Sequence, residues 1–439
     1  SSDVCSSDLT NSLSMKTAAR YQSAVELIDQ ILEQTSVPSD RLLVDYFRQR
    51  RFIGSQDRRS IQETVYAILR QWPVLAFYQR QLNGRQAILW FLRVCEKASL
   101  NRIQTIFNGE RYAPATLSKV EVQSLEITLT ESIEPEWVKA ATPEWLWPHC
   151  QERFGQNAVA AMQALNQPTG FDIRVNTLKE TRSAVLKKLE KEKIRVQVTP
   201  LSPWGVRFQD RYALQDHDLW KDGSLEIQDE GSQLIALLTE AKPGMHVLDL
   251  CAGAGGKTLA VAASMENKGI LIATDIHEWR LKKAKERLRR AGISNVECRV
   301  LGDNWLKRQR ERFDRVLVDA PCSGSGTWRR NPDLKIRFQP DDLKELQQKQ
   351  QQILHTAAES VKPGGRLIYA TCSILKAENE DQVNRFLKTH PTFSLIDIRQ
   401  IWQELLDSSC PTIETTLQLT PYQHQTDGFF ISIFEKKAP

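Results

Sequence analysis

Two cysteines sit where an α/β protein keeps its reactive groups. Cys322 follows the run Arg315-Val-Leu-Val-Asp-Ala-Pro321, and Cys372 follows Arg366-Leu-Ile-Tyr-Ala-Thr371. Both runs read as buried parallel strands, and both thiols are followed by serine and turn residues. Ligands of open α/β sheets bind beyond the carboxyl ends of the strands, so neighbouring strands would hold both thiols over one crevice. One cysteine in such a place is more often packing than chemistry, and a pair reverses those odds. A free thiol with a pKa of about 8.5 is only about 3% thiolate at pH 7, so a cation near either one would matter.

A second stretch supplies a candidate cofactor corner. Val247-Leu-Asp-Leu-Cys251-Ala252-Gly253-Ala254-Gly255-Gly256-Lys257-Thr258 runs from an apolar strand through a glycine turn into a helix start. Three ligands compete for it. A phosphate-cradling loop needs a glycine where Cys251 stands, and a dinucleotide turn wants its third glycine further on. S-adenosylmethionine has no phosphate, and needs close backbone approach plus an acid for its ribose diol. Asp275 ends the next apolar run, Ile270–Asp275, at a suitable offset, and Asp303 follows the third, Val296–Leu301. Acids on successive strand ends favour the methyl donor.

Those strands need a frame. From Gln233 onward strands near 247–251, 270–275, 296–300, 315–319 and 366–370 alternate with helices, and Gly428–Phe434 closes as a buried strand. Such alternation means a mostly parallel, doubly wound sheet with helices on both faces. The helix Glu278–Ala291 puts Leu281, Ala284, Leu288 and Ala291 on one face. Its other face carries Arg280, Lys282, Lys283, Lys285, Arg287, Arg289 and Arg290, which read as a solvated face or a nucleic-acid contact. Asp341–Val361 reads as a long amphipathic helix.

Upstream, residues 17–117 show helical periodicity, with Ala24, Leu27, Ile28, Ile31 and Leu32 on one stripe and Ile61, Val65, Ile68 and Leu69 on another. Arg48, Arg50, Arg51, Arg58 and Arg59 fall between helices and read equally as solvated surface or RNA-phosphate contact. Residues 118–135 read as a polar connection and Glu144–Ala164 as a helix. Residues 140–232 then form a small mixed α/β module with a basic helix over Arg182–Lys193. Residues 1–14 read as a non-native or disordered tail before Met15.

The chain has 439 residues, a net charge of +5 and eight cysteines. That length suits about two or three domains. The mild positive charge permits a polyanionic partner without demanding one. No Cys-x-x-Cys pair occurs, so neither zinc nor a disulfide framework is indicated, and reduced thiols of a cytoplasmic protein are expected. No run is long enough to cross a membrane.

Asp319-Ala-Pro-Cys322-Ser-Gly324, Thr371-Cys372-Ser373 and Leu250–Lys257 together resemble the motif set of the RNA 5-methylcytosine methyltransferases, the NOP2/NSUN superfamily. Arg329-Arg-Asn-Pro-Asp333 and Gln228-Asp-Glu-Gly-Ser-Gln233 fit as well. Within the family the chain is most similar to the bacterial RsmB (Sun) type, which acts on 16S ribosomal RNA. The resemblance covers about 140–439, while residues 15–125 resemble a NusB-like helical RNA-binding domain. Ala254 stands where the family usually has proline.

The resemblance implies a class I methyltransferase over 233–439, an RNA-contacting module over 140–232 and S-adenosylmethionine as cofactor. It implies ribosomal RNA as partner, a monomer, and no metal. It makes Cys372 the nucleophile that adds to cytosine C6 and gives Cys322 the release step. Asp319 would hydrogen-bond the N3/N4 edge, and Lys257 would stabilise the site electrostatically. Cys251, Ala252, Gly253, Ala254, Gly255, Gly256, Lys257, Asp275, Asp303 and Asp319 would hold the cofactor. Three rivals stay open: a DNA-type enzyme, which would use Cys322 as nucleophile and not need Cys372; a non-catalytic RNA-binding or assembly factor; and methylation of tRNA or 23S ribosomal RNA.

Overall fold

The computed structural model describes residues 15–127, 134–168, 170–210, 212–302 and 305–438. The expected tail over 1–14 and the expected cofactor acid Asp303 therefore lie outside the described residues. The chain forms two compact units, one of residues up to Trp147 together with Asn331–Arg337, the other of Pro148–Arg330 with Phe338 onward.

The first unit is helical, and the periodic stripes explain it. Ala24, Leu27, Ile28 and Ile31 of the helix Thr17–Glu33 are buried together with Ile61, Val65, Ile68 and Leu69 of the helix Ser55–Arg70. Pro73 sits in the first turn of a separate helix, Trp72–Tyr78, where its missing N–H costs nothing. The expected polar connection over 118–135 is corrected in part, because Lys119–Ile127 is a helix. Ser118 and Glu121 exchange side-chain to backbone hydrogen bonds at its start. That is a capping box, and Leu125 is buried in the unit's core. The arginine cluster is largely engaged within its own unit. Arg48 pairs with Asp45, Arg50 with Glu26 and Arg59 with Glu63, while Arg58 donates to the carbonyl of Ile53 at 2.7 Å. Asn331–Arg337 belongs to this unit too. Lys335, only 3% exposed, donates to the carbonyls of Ala141 and Arg70, and Asp333 accepts from the backbone of Ser39.

The second unit holds both sheets. Strands β1 (Phe171–Val175), β2 (Val196–Val198), β3 (Gly205–Phe208) and β4 (Leu225–Ile227) make an antiparallel sheet in the order β2-β3-β1-β4. The helix expected over Glu144–Ala164 is broken into Trp147–Phe154 and Ala158–Ala164. Gly155 takes a positive φ of 54° between them, which ends the first segment.

The large sheet contains β5 (His246–Asp249), β6 (Ile270–Asp275), β7 (Val296–Val300), β8 (Phe313–Asp319), β9 (Val361–Thr371), β10 (Phe393–Ile396), β11 (Leu417–Leu419) and β12 (Phe429–Lys436). Its order is β10-β12-β9-β8-β5-β6-β7, with β11 paired to β12. Strands β5 to β9 are parallel; β12 runs against them beside β9, and β10 and β11 each pair antiparallel with β12. The chain leaves β5 for β6 on one side and returns to β8 on the other. This reversal opens the crevice in which doubly wound sheets bind ligands. The outer helix Glu278–Ala291 has the expected bounds, but two of its seven cations are structural: Arg287 and Arg290 both pair with Glu226 of β4.

Candidate active site

The register of β8 and β9 brings the two thiols together. Asp319 pairs with Ala370 across these strands, so Cys322 lies three residues past one partner and Cys372 two past the other. Their sulfurs are 3.3 Å apart. The loops after the strands interlock: Gly326 donates its N–H to the carbonyl of Cys372 at 2.9 Å. A Cβ on Gly326 would lie 2.1 Å from the carbonyl oxygen of Gly428, so no larger residue fits beside the β12 entry.

Both thiols line a cavity of about 820 Å³ over the carboxyl ends of the parallel strands. Cys251, Ala252, Gly253, Ala254, Gly256 and Lys257 line it from the turn after β5, Asp275 from the end of β6, and Asp319 from the end of β8. Gly255 is placed differently. It takes φ +80°, and a Cβ there would approach the Cβ of Ala284 to 2.9 Å. It is the packing point of the turn against the outer helix and does not line the cavity. Arg287 of that helix donates to the carbonyl of Ala254 at 2.6 Å, fixing the turn where the family usually has proline. Asp275 accepts from the backbone N–H of Gly253 at 3.0 Å. Helix Pro340–Ser360 adds Lys349, Gln352, Ile353 and Thr356 to the wall; periodicity put Ile353 on the helix's apolar face and did not single out the other three.

Electrostatics divide the cavity. Lys257 donates to Asp319 at 2.6 Å. Burial pulls the Lys257 ammonium down, but Asp319, Cys372 and Asp249 outweigh it and leave its pKa raised. A protonated lysine is thus held beside Cys372. The Cys322 thiol is pushed well up by its hydrogen bond to Cys372, by burial and by the negative charges of Cys372 and Glu378. The Cys251 thiol is also raised by burial and by neighbouring acids, so it stays inert.

Several site residues were given no role from the sequence. Asp249, at the end of β5, is 1% exposed. One carboxylate oxygen accepts from Thr258 at 2.7 Å and the other has no hydrogen-bond partner among the described residues. Burial and the nearby charge of Asp319 raise its pKa to about 7. A second group lies beneath the thiols: Ser323, Ser325, Ser373, Glu378 and Asn379 are all buried. Ser323 and Ser373 were visible as neighbours of the cysteines. Glu378 carried one signal, a run Glu378-Asn379-Glu380 shortly after Thr371-Cys372-Ser373.

A sheet of this order, with a glycine turn after β5 and a carboxylate at the end of β6, defines a class I methyltransferase fold. Comparison with known proteins narrows the class. Residues 236–435 match the family described as 16S rRNA methyltransferase RsmB/F, and residues 142–215 match the ferredoxin-like domain of RsmF/B-like methyltransferases. The chain belongs to the RsmB/F methyltransferase family. It is 29% identical to "Probable ribosomal RNA small subunit methyltransferase B" of Bacillus subtilis strain 168, over 96% of this chain and 100% of that protein. It is 28% identical to ribosomal RNA small subunit methyltransferase B of Salmonella paratyphi A, over 94% of this chain and 98% of that protein. A methyltransferase homologue from Pyrococcus horikoshii superposes with a TM-score of 0.60 at 28% identity, covering 69% of this chain and 97% of that one.

Proposed function

We propose that this protein transfers a methyl group from S-adenosylmethionine to C5 of a cytidine in ribosomal RNA, within 16S RNA, through a covalent adduct between Cys372 and C6. The observation that carries the reading is the pair of sulfurs 3.3 Å apart in the wall of one cavity. Direct transfer to a nitrogen or a ribose oxygen has no use for two thiols. The names of the related enzymes support ribosomal RNA as the substrate.

The residues present fit the methyl donor. The open backbone at Gly253, where nothing lies within 4 Å of an added Cβ, suits close approach by a nucleoside. The unpartnered oxygen of Asp249 suits a cationic group, and Asp275 suits a ribose diol. When bound, S-adenosylmethionine supplies a methyl group made electrophilic by its sulfonium. The protein has to make C5 of cytosine nucleophilic. Cys372 adds to C6 as a thiolate, which gives C5 enamine character. Lys257 supplies a positive charge to the cavity it lines together with Cys372, and we assign Asp319 to hydrogen-bonding the N3/N4 edge as the ring accepts electrons. After methylation the C5 proton passes to Cys322, acting as a thiolate, and the electron pair freed at C5 re-forms the C5–C6 double bond and expels Cys372 as a thiolate. The helical domain over 15–125 and the module over 140–232 are assigned to RNA contact. A stacked base hides C6, so the target is a loop or flipped nucleotide.

The test uses Cys322→Ala and Cys372→Ala proteins with unmodified small-subunit RNA and methyl donor. Cys322→Ala is expected to trap an RNA adduct that survives a denaturing gel, and Cys372→Ala to trap none and to lose methyl transfer. Adduct in the second variant only would exchange the two roles.

A further inference from the structure

A single buried carboxylate ties together the loops that carry the two thiols. Glu378 is fully buried. One of its oxygens accepts from the backbone N–H of Ser323 at 2.9 Å and from the side chain of Gln350 at 3.0 Å. The other accepts from the hydroxyls of Ser323 and Ser373, each at 2.5 Å. Ser323 directly follows Cys322, and Ser373 directly follows Cys372. Gln350 also donates to the carbonyl of Pro321 at 3.0 Å, so the peptide before Cys322 is held as well as the residue after it. Asn379 extends the same grip, accepting from Thr371 at 2.6 Å and donating to the carbonyl of Ser373 at 2.9 Å. Among the described residues no lysine or arginine pairs with Glu378, which is unusual for a buried carboxylate. Four donors aimed at one acid instead suit an acceptor-only carboxylate.

We propose that Glu378 is the positioning residue of this site, setting the separation of Cys322 and Cys372 and so the division of labour between them. It does not line the cavity and touches no reacting atom. It acts through the two serines on the geometry and, by its negative charge, on the readiness of Cys322 to ionise. A neutral amide would keep one accepting oxygen, face the other two donors with an NH2 group, and lose the charge. A carboxylate adds a field that opposes a second anion beside the Cys372 thiolate. The inference rests on the two-thiol reading of the site, and its test is separable from that reading.

The test compares full-length wild type with Glu378→Gln and Ser373→Ala, first by thiol chemistry without RNA. Diamide takes a hydrogen from each thiol, is reduced to the hydrazine and leaves a Cys322–Cys372 disulfide that peptide mass spectrometry counts. Displaced loops are expected to close that bond about tenfold more slowly in Glu378→Gln. The pH profile of Cys322 alkylation, followed in a Cys372→Ser background, is expected to move down by about one unit in Glu378→Gln. It should stay in place in Ser373→Ala, which keeps the charge. A neutral glutamine that leaves both the closure rate and the alkylation profile at wild-type values would overturn the proposal. If Glu378→Gln does not fold, Ser373→Ala decides alone: slower closure with an unmoved profile supports the proposal, and wild-type closure overturns it. Failure of Cys322→Ala to trap an RNA adduct would count against the proposed reaction and leave these thiol readouts untouched.

Discussion

Two buried polar networks lie in the same unit and are built on opposite plans. In one, Arg329 and Arg330 meet Asp229 and Asp427: both arginines pair with both acids. Two positive and two negative charges are matched, joining the loop after β8 to the segment after β4 and to the entry of β12. In the other, Glu378 has hydroxyls, an amide and a backbone N–H around it, and no cation. The matched network contains no nucleophile, whereas the unmatched one lies directly beneath two. A protein that needs only cohesion cancels its buried charge. One that needs a field at a reactive sulfur leaves the charge uncancelled and spreads its stabilisation over neutral donors.

The largest expected effect comes from unbalancing the matched network. Arg329→Ala leaves two buried carboxylates sharing one arginine, Arg330, and Asp229 is already pushed up by burial and by the charge of Asp427. Loss of about 3–5 kcal/mol of stability is expected, measured by denaturant titration. A loss below about 1 kcal/mol would mean that this cluster is not held by charge pairing.

Asp249 is the intermediate case, a buried acid whose only hydrogen-bond donor among the described residues is Thr258. Its raised pKa sets the sign of a pH dependence. The folded protein keeps this proton up to about pH 7, while the unfolded chain releases it near pH 3.9. The folded state is thus favoured below that lower value and loses the advantage as pH rises towards 7. Asp249→Asn removes the titration, so its melting temperature should fall less between pH 5 and pH 8 than that of wild type. Parallel curves for the two proteins would show that Asp249 is ionised in the folded state throughout.

Much of this was legible in the chain, for reasons that differ by element. The strands of the large sheet announce themselves because buried parallel strands are continuous apolar runs, and their ends carry Asp275, Asp319, Cys322 and Cys372. Helix Glu278–Ala291 was legible to the residue, since Gly292 in the left-handed region stops it and its apolar face is strictly periodic. The helix Lys119–Ile127 was not, because one buried leucine and a capping box are a weak pattern beside many polar residues. The use of Arg287 and Arg290 was hidden for another reason. A cation that reaches across to Glu226 looks, in sequence, the same as one facing water. Gly255 and Gly253 are likewise identical letters, one facing Ala284 and the other facing the cavity. Glu378 was hidden because its four donors come from three separated segments.

The smallest expected effect separates hydroxyl geometry from charge within the unmatched network. Ser325 stands between the two serines that bind Glu378: its hydroxyl lies 3.1 Å from that of Ser373 and accepts from the backbone N–H of Ile374 at 3.1 Å. Ser325→Ala removes that acceptor and leaves one buried N–H unsatisfied, a cost of about 1 kcal/mol. It keeps every hydrogen bond to Glu378 and its charge. Stability should therefore fall by roughly that amount in denaturant titration, while the alkylation profile of Cys322 and the rate of methyl transfer stay at wild-type values. A shift of that profile comparable to the one expected for Glu378→Gln would mean that the thiols respond to any loosening beneath them. The contrast between a matched network that holds and an unmatched one that tunes would then reduce to packing alone.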